Sequence, residues 1–541
     1  MAKHSKDTSR SLARGAAIIT VATAVSRITG FVRVVVVAAA LGTTFLANTY
    51  QTANTAPNVV FELVAAGVFT SVFVPTFVEY LVKGRKDEGW EAANALASVA
   101  LVALIGLSLL VALAAPLIMW LLTLGVSNET LRDREIALGA TFLRLFAPQI
   151  AFYGAGMIMT GALHAHRRFA LAAVAPIFNN LVVIVVYLTY AGMRADRPPT
   201  VDGITTAETW VLGAGTTLGV VAMTLCLIPQ LTRLGWRARF RFEPSHPAVR
   251  RGARLGAWAL GYAGGYQAGL IVVLLLANGV KGGVAAYQWA YTFFYLPHAL
   301  FAIPVFQVLF TAMSEHVAKG EEGGLVERLR DGLAMLSFLL IPTAAIMLAA
   351  AHPVTRLTLE YGVMTGTGSS LVARVLAAFA VGLPLYSAFL VYTRGYYAFG
   401  DTKTPALVNA GTIALASLVG ASLFAALPRE WAVPGLAFGH SIGFAAGAVV
   451  LGRLFHNRIG SRVGAQLTSA VLRATVASCG ALVVMLIVRN LAPDESRVEN
   501  LVNALLTIGL GAGAYLGAMV GFKSPELHRL RRLALAVRSG R

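Results

Sequence analysis

The chain has 541 residues, of which 57% are hydrophobic and only 13% charged, and its formal net charge is +19. A soluble protein usually carries about 25% charged residues, so the composition excludes an ordinary soluble enzyme or binding domain. The two cysteines, Cys226 and Cys479, each lie in an apolar run and cannot form a disulfide framework or a metal site.

Apolar runs of around twenty residues recur along the chain, each long enough to cross a hydrocarbon core of roughly 30 Å. The runs are continuous rather than alternating, which favours helices over a barrel. We predict an all-α integral membrane protein with fourteen transmembrane helices. The predicted spans are approximately 15–42, 50–82, 92–124, 136–163, 169–193, 208–232, 252–278, 284–316, 326–350, 371–398, 404–427, 432–456, 467–489 and 500–522.

Lysine and arginine are concentrated in every second connection between these spans, most densely between 233 and 254 and after 523. The positive-inside rule then places both termini in the cytoplasm of a multi-pass membrane protein. Because this topology accounts for the positive charge, we expect no nucleic-acid partner.

The spans form an internal repeat, since adding about 234 to spans 1–6 gives spans 7–12 and aligns Glu79 with Glu315. Six spans per copy predict two six-helix lobes in a parallel repeat, followed by two C-terminal helices. We therefore divide the chain into an N-terminal lobe (1–235), a C-terminal lobe (236–460), and helices 13 and 14 with a basic cytoplasmic tail (461–541).

Six arginines lie inside the apolar spans, although a charged side chain at the bilayer centre costs roughly 2.5–3.5 kcal/mol on insertion scales. They are Arg27, Arg33, Arg144, Arg374, Arg394 and Arg473. Only Glu62 is a carboxylate at comparable depth, which indicates a cationic internal cavity. Arg144, Arg374 and Arg473 lie near span ends, where such side chains snorkel, and Arg394 is open to either interpretation.

Arg27 and Arg33 lie deep in the first span, about 120° apart on a regular helix. Two guanidinium groups bordering one cavity are suited to bidentate binding of a diphosphate. The alternative is a structural ion pair with Glu62, but one carboxylate cannot neutralise both arginines.

Polar residues on three other spans are candidates for lining this cavity. They are Asn48, Gln51, Asn54, Asn58 and Glu62 on span 2, Tyr266 and Gln267 on span 7, and Gln288 and Thr292 on span 8. The span 2 amides could equally join helices to one another. No catalytic constellation, P-loop or zinc spacing occurs, so we expect no enzyme activity, no cofactor and no metal.

The pieces SRITGFVR, ANTYQTANTAPN, AAGVFTSVFVPTFVEY, GALHAHRRFALAAVAPIFNN and YYAFGDTKTP resemble the MurJ (MviN) family, the lipid II flippases of the MOP exporter superfamily. The resemblance implies two lobes around a cavity lined by spans 1, 2, 7 and 8, and a groove for the lipid tail at spans 13 and 14. It also implies that Arg27 and Arg33 bind the headgroup.

Family membership would make the substrate lipid II, an undecaprenyl-diphosphate-linked disaccharide-peptide, moved from the inner to the outer leaflet of the bacterial cytoplasmic membrane by alternating access. Membrane lipids and cell-wall synthesis proteins are then the candidate partners.

The chain departs from the family pattern at two places. Some members carry an arginine pair where this chain has Phe61 and Glu62, and others carry an arginine where this chain has Thr292. The resemblance therefore leaves the headgroup mainly to Arg27 and Arg33.

Two other functions stay open from sequence: export of another polyprenyl-linked glycan, and a membrane glycosyltransferase. The latter needs catalytic acids on an outer loop, where Asp196 and Asp202 lack a metal-binding pattern. The sequence also leaves the membrane potential, Na⁺ and H⁺ open as energy sources.

Overall fold

A computed structural model describes residues 2–68, 86–166, 168–237, 239–245, 264–459, 464–491 and 496–538. These ranges are helical and contain no strand. The helices of the first half are α1 (Ala2–Leu41), α2 (Phe45–Val68), α3 (Lys86–Leu113), α4 (Ala115–Leu122), α5 (Glu129–Phe146), α6 (Gln149–Ala165), α7 (Phe169–Arg194), α8 (Thr206–Leu225), α9 (Ile228–Arg233) and α10 (Gly264–Ala277).

The second half continues the helical order after a short turn. Its helices are α11 (Gly283–Pro297), α12 (Ile303–Ala318), α13 (Glu322–Leu359), α14 (Gly366–Ala380), α15 (Leu383–Ala398), α16 (Lys403–Ala426), α17 (Arg429–Ile459), α18 (Gly464–Leu491), α19 (Arg497–Gly521) and α20 (Pro525–Arg538). A π-helical turn, His298–Ala302, joins α11 to α12 directly after Pro297.

Eleven helical segments within the described ranges are long and apolar enough to cross a membrane, or twelve if α14 and α15, bent by 47°, form one span. The prediction of an all-helical membrane protein is confirmed. The predicted spans 50–82 and 252–278 fall partly outside the described ranges, as does Glu79 of the repeat alignment. The total of fourteen therefore stays a prediction.

Large apolar side chains cover the outer faces of these helices. On α19, Leu505, Leu516 and Val520 are exposed, whereas Tyr515 and Met519 are buried. Such faces would aggregate in water, but they are suited to hydrocarbon, where the backbone of a helix is already satisfied internally. The helices therefore present one face to lipid and the other to the protein interior.

Internal contacts group the chain into two compact units. The first unit comprises Met1–Val284 with Tyr361–Met364, and the second comprises Ala285–Glu360 with Thr365–Arg541. The division into segments 1–235, 236–460 and 461–541 stays a prediction.

Within the first unit, α2 and α10 are antiparallel neighbours joined by polar side chains along their length. Asn48 donates to the Val280 carbonyl (2.8 Å) and accepts from the Val284 amide (3.1 Å). Thr52 and Asn278, both fully buried, bond to each other at 3.0 Å. We refer to these contacts, with the bond between Glu62 and Gln267, as the α2–α10 ladder.

Within the second unit, the two C-terminal transmembrane helices dock on α13 at its prolines. Pro342 and Pro353 lack an N–H, which leaves the carbonyls four residues earlier, at Phe338 and Ala349, without their helical donors. The Tyr515 hydroxyl of α19 donates to the Phe338 carbonyl (2.7 Å), and Arg489 of α18 donates to that of Ala349 (3.3 Å). The carbonyls freed by the two prolines of α13 are thus the points at which side chains of α18 and α19 bind.

Candidate functional site

The two deep arginines of the first span lie on one continuous helix. Because α1 runs without a break from Ala2 to Leu41, the regular helical rotation of about 100° per residue separates the two side chains by about 120°. Arg27 is exposed and Arg33 is half-buried. The pair therefore presents one outer and one inner guanidinium rather than a single stacked face.

Arg33 lies beside a cluster of phenols. Its guanidinium is close enough to Tyr50, Tyr153 and Tyr187 to interact with them electrostatically. Within the part of the chain that the structure describes, it forms no hydrogen bond or ion pair. A half-buried cation beside neutral hydroxyl groups is suited to receive an anion, and the hydroxyl of half-buried Tyr153 can donate to it.

The phenol cluster is itself rigidly held. The Tyr50 ring meets Phe142 and Phe146 of α5 edge to face, each at 5.4 Å, and its hydroxyl is 2.6 Å from the Thr216 hydroxyl of α8. Tyr153 packs on Phe61 of α2 at 5.3 Å. Four helices, α2, α5, α6 and α8, thus fix the surface that Arg33 faces.

Asn180 of α7 holds α1 between the two arginines. Its amide nitrogen donates to the Ser26 carbonyl (3.2 Å) and to the Thr29 hydroxyl (3.1 Å). This positioning residue was missed from sequence. The available signal was a buried amide in an apolar span, at the end of the piece APIFNN.

Glu62 bonds to α10 rather than to the arginines. Its carboxylate accepts a hydrogen bond from the Gln267 amide, and it forms no ion pair with any described residue. Gln267 is only 3% exposed, and its carbonyl oxygen has no hydrogen-bond partner among the described residues. The structural ion pair considered from sequence is therefore not the arrangement observed.

The four amides of α2 have different environments. Asn48 is fully buried and uses both polar atoms to join α2 to residues 280 and 284. Gln51, Asn54 and Asn58 are half-buried; Asn58 donates to the Asn54 carbonyl at 2.8 Å. Asn48 therefore joins helices to one another, which is one of the two roles considered for these amides. The other three amides remain partly accessible to solvent.

The remaining cavity candidates belong to both units. Tyr266, 36% exposed on α10, is in the first unit. Gln288 and Thr292 are half-buried on α11 in the second unit, and the Thr292 hydroxyl donates to the Gln288 carbonyl at 3.0 Å. Each candidate therefore has a defined place within its own unit.

Three of the other four intramembrane arginines have local partners. The Arg374 guanidinium lies 5.5 Å from the Trp431 ring, and that of Arg394 lies 5.9 Å from the Tyr397 ring. Arg473 pairs with Glu526 at 3.4 Å. Arg144 is exposed. Arg374, Arg394 and Arg473 therefore each have a partner within the protein.

The loop 194–207 carries the acidic residues considered for a glycosyltransferase, Asp196 and Asp202. Asp202 forms an ion pair with Arg134. Across the residues that the structure covers, no group of three or more His, Cys, Asp or Glu side chains is placed to hold a metal ion.

Comparison with known proteins identifies the family. Residues 37–506 match the family described as Lipid II flippase MurJ. A probable lipid II flippase MurJ of Rhizobium tropici is 29% identical over 417 residues, covering 76% of this chain and 75% of the relative. A lipid II flippase MurJ of Burkholderia cenocepacia is 25% identical over 409 residues, covering 74% and 77%.

Solved structures show the same fold. A lipid II flippase MurJ in an inward closed conformation aligns with a TM-score of 0.75 at 20% identity, covering 93% of this chain and 98% of the other. An inward-facing multidrug resistance transporter of the MATE family, in the MOP superfamily, aligns with a TM-score of 0.65 at 14% identity, covering 80% and 94%. With the family match across most of its length, this chain belongs to the MurJ family of lipid II flippases, multi-pass proteins of the bacterial inner membrane.

Proposed function

We propose that this chain carries lipid II from the inner to the outer leaflet and holds its diphosphate at Arg27 and Arg33. The supporting observation is the surface around Arg33: a half-buried guanidinium, with no carboxylate partner among the described residues, facing rigidly packed phenols. A hydrogen bond to a charged group contributes about 1.5–3 kcal/mol, so a few such bonds suffice to select a diphosphate.

Arg27 and Arg33 have distinct roles in this proposal. Arg27, the exposed member, meets the headgroup first, and Arg33, the inner member, holds it beside Tyr153. Asn180 keeps α1 in position between the two contacts. Because Glu62 is engaged by Gln267, its negative charge is held at α10.

The finer architecture belongs to the same proposal. Fourteen spans, both termini in the cytoplasm, and the lobes 1–235 and 236–460 are the arrangement that we propose. Helices 13 and 14 would guide the prenyl chain while the lobes alternate in access, and the step breaks no covalent bond. Cell-wall synthesis proteins remain candidate partners.

Lipid II translocation in vesicles tests the arginine assignment. R33A and R33K should each lower the rate by roughly tenfold or more, because lysine cannot reproduce the planar fork. R27A should also be slower. R144A removes an exposed intramembrane arginine that lies outside the proposed site and is the matched control. Full-rate translocation by correctly inserted R27A and R33A would show that these residues do not hold the substrate.

A competition experiment separates lipid II from the other polyprenyl-linked glycans. Because lipid II and the other polyprenyl-linked glycans share a diphosphate, the two arginines alone would bind all of them. Contacts to the disaccharide-peptide must then supply the selectivity for lipid II. Unlabelled lipid II should displace labelled lipid II more strongly than an undecaprenyl diphosphate carrying a different glycan. Equal displacement would favour an exporter of broader specificity.

A further inference from the structure

A carboxylic acid is buried inside the first unit at a position that the flipping mechanism does not use. Glu135 is 0% exposed, and neither of its carboxylate oxygens has a hydrogen-bond partner among the described residues. It lies on the inward face of α5 with Gly139, Phe142 and Phe146, at positions where a helix places apolar residues. It directly precedes the predicted span 136–163, and the sequence pattern does not reveal its burial.

The arginines nearest in sequence do not neutralise Glu135. Arg132, one turn earlier on α5, has its guanidinium 5.6 Å from the Trp120 ring. Arg134, the preceding residue, pairs with Asp202. The other acids of this turn, Glu129 and Asp133, are exposed on the opposite face. Glu135 thus has no counter-ion from its own helix.

Among the described residues, the helices packed against α5 do not supply a counter-ion either. α4 carries no titratable residue, and the charged residues of α3 lie between 86 and 91, far along that helix. On α8, Glu208 is bound by Arg197. On α2, Glu62 is bound by Gln267 and Tyr50 by Thr216.

Thr49 of α2 is a polar neighbour of Glu135, but its hydroxyl proton is already used in another hydrogen bond. Its hydroxyl donates its only proton to the Phe45 carbonyl at 2.9 Å. The Thr49 oxygen can therefore accept a hydrogen bond but cannot donate one to a carboxylate. An ionised Glu135 would therefore be buried without a donor, whereas protonation removes the charge that burial disfavours.

We propose that Glu135 is a proton-binding site of the first unit. It holds a proton while α2, α4 and α5 are packed around it. When water enters between these helices, the O–H bond breaks, the proton passes to water and the carboxylate stays behind hydrated. The ligand is the proton itself, and its release is tied to the opening of this packing rather than to contact with lipid II.

Infrared difference spectroscopy of the full-length protein in lipid nanodiscs tests this site without any transport assay. The wild type at neutral pH should show the carbonyl band of a buried carboxylic acid, and E135Q should lose it. E135D keeps an acid with a shorter side chain and should shift the band. E208Q is the matched control, since Glu208 is equally buried but paired with Arg197, and it should leave the band intact.

Two outcomes overturn the proposal. One is a wild-type spectrum that shows no buried-acid band at neutral pH. The other is a buried-acid band that is unchanged in E135Q. A failure of the lipid II assay affects neither result, so the two proposals are tested separately.

Discussion

At the scale of single residues, the cost of burying charge separates arginines that have local partners from those that do not. Arg473 has Glu526 and Arg374 has the Trp431 ring, whereas Arg33 lies beside phenols and forms no ion pair with a described residue. Sequence could rank these residues by depth but could not reveal partners that are distant along the chain. It also could not place Asn180 against α1, because that contact spans 154 residues.

Asp401 and Arg458 lie outside the membrane and give a pH-dependent contribution to stability. Burial alone would raise the pKa of Asp401, but hydrogen bonds from Thr404 and from Arg458 (2.8 Å) outweigh it and hold the pKa below its ordinary value. A lowered carboxyl pKa stabilises the folded protein above the unfolded-state value of about 3.9, and the contribution is lost as the pH falls through the folded-state value.

We therefore expect D401N to unfold at a lower temperature than the wild type at pH 7, with the gap closing as the pH falls below about 3.9. Thermal unfolding of both proteins in detergent, between pH 7 and a pH below about 3.9, measures this difference in unfolding temperature. Asparagine keeps one acceptor oxygen, so it can retain the hydrogen bond from the Thr404 amide while it loses the charge and the second oxygen, which accepts from the Thr404 hydroxyl and Arg458. A gap of constant size at every pH would mean that the charge is not responsible.

At the scale of helices, proline positions decide which helices bind to which. The apolar periodicity predicted that a span lies in this part of α13, but it could not show that the carbonyls freed by Pro342 and Pro353 are met by donors from α18 and α19. Those donors come from residues more than a hundred positions later in the chain. The position of a proline in the sequence shows which carbonyl lacks a helical donor. Only the tertiary fold shows which residue donates to that carbonyl instead.

This relation between a proline and its donor can be measured with a double-mutant cycle. Y515F should lower the free energy of unfolding by about 1–3 kcal/mol, because it leaves the buried Phe338 carbonyl without a donor. In a P342A background, residue 342 regains an N–H four residues after Phe338, so Y515F should cost less. Equal costs in the two backgrounds would show that the freed carbonyl does not explain the docking.

At the scale of the whole molecule, hydropathy predicted the all-helical membrane fold far better than it predicted individual contacts. Spans are set by bilayer thickness, which every membrane helix must match, so sequence identifies them directly. The two compact units depend instead on contacts between side chains. In the α2–α10 ladder these contacts join residues far apart in sequence, so the sequence does not show which residues pair. Glu135 illustrates the limit, since burial there follows from neighbours on α2 and α4.

The proposed orientation predicts which loops an impermeant thiol reagent reaches in intact cells. In a background lacking Cys226 and Cys479, a cysteine at exposed Asp196 should be labelled from outside, because its loop joins the predicted spans 5 and 6. A cysteine at exposed Lys319 should be labelled only after lysis. The reverse pattern would invert the topology and place the arginines' entry route on the other side.

The α2–α10 ladder also constrains the order in which the protein is made. Asn48, Thr52 and Glu62 leave the ribosome and enter the bilayer some two hundred residues before Val280, Asn278 and Gln267 exist to bond with them. A nascent chain that ends before residue 264 therefore holds an amide, a hydroxyl and a carboxylate that lack their final partners. The first unit therefore reaches its native hydrogen bonding only late in synthesis, when α10 inserts beside α2, which was synthesised much earlier.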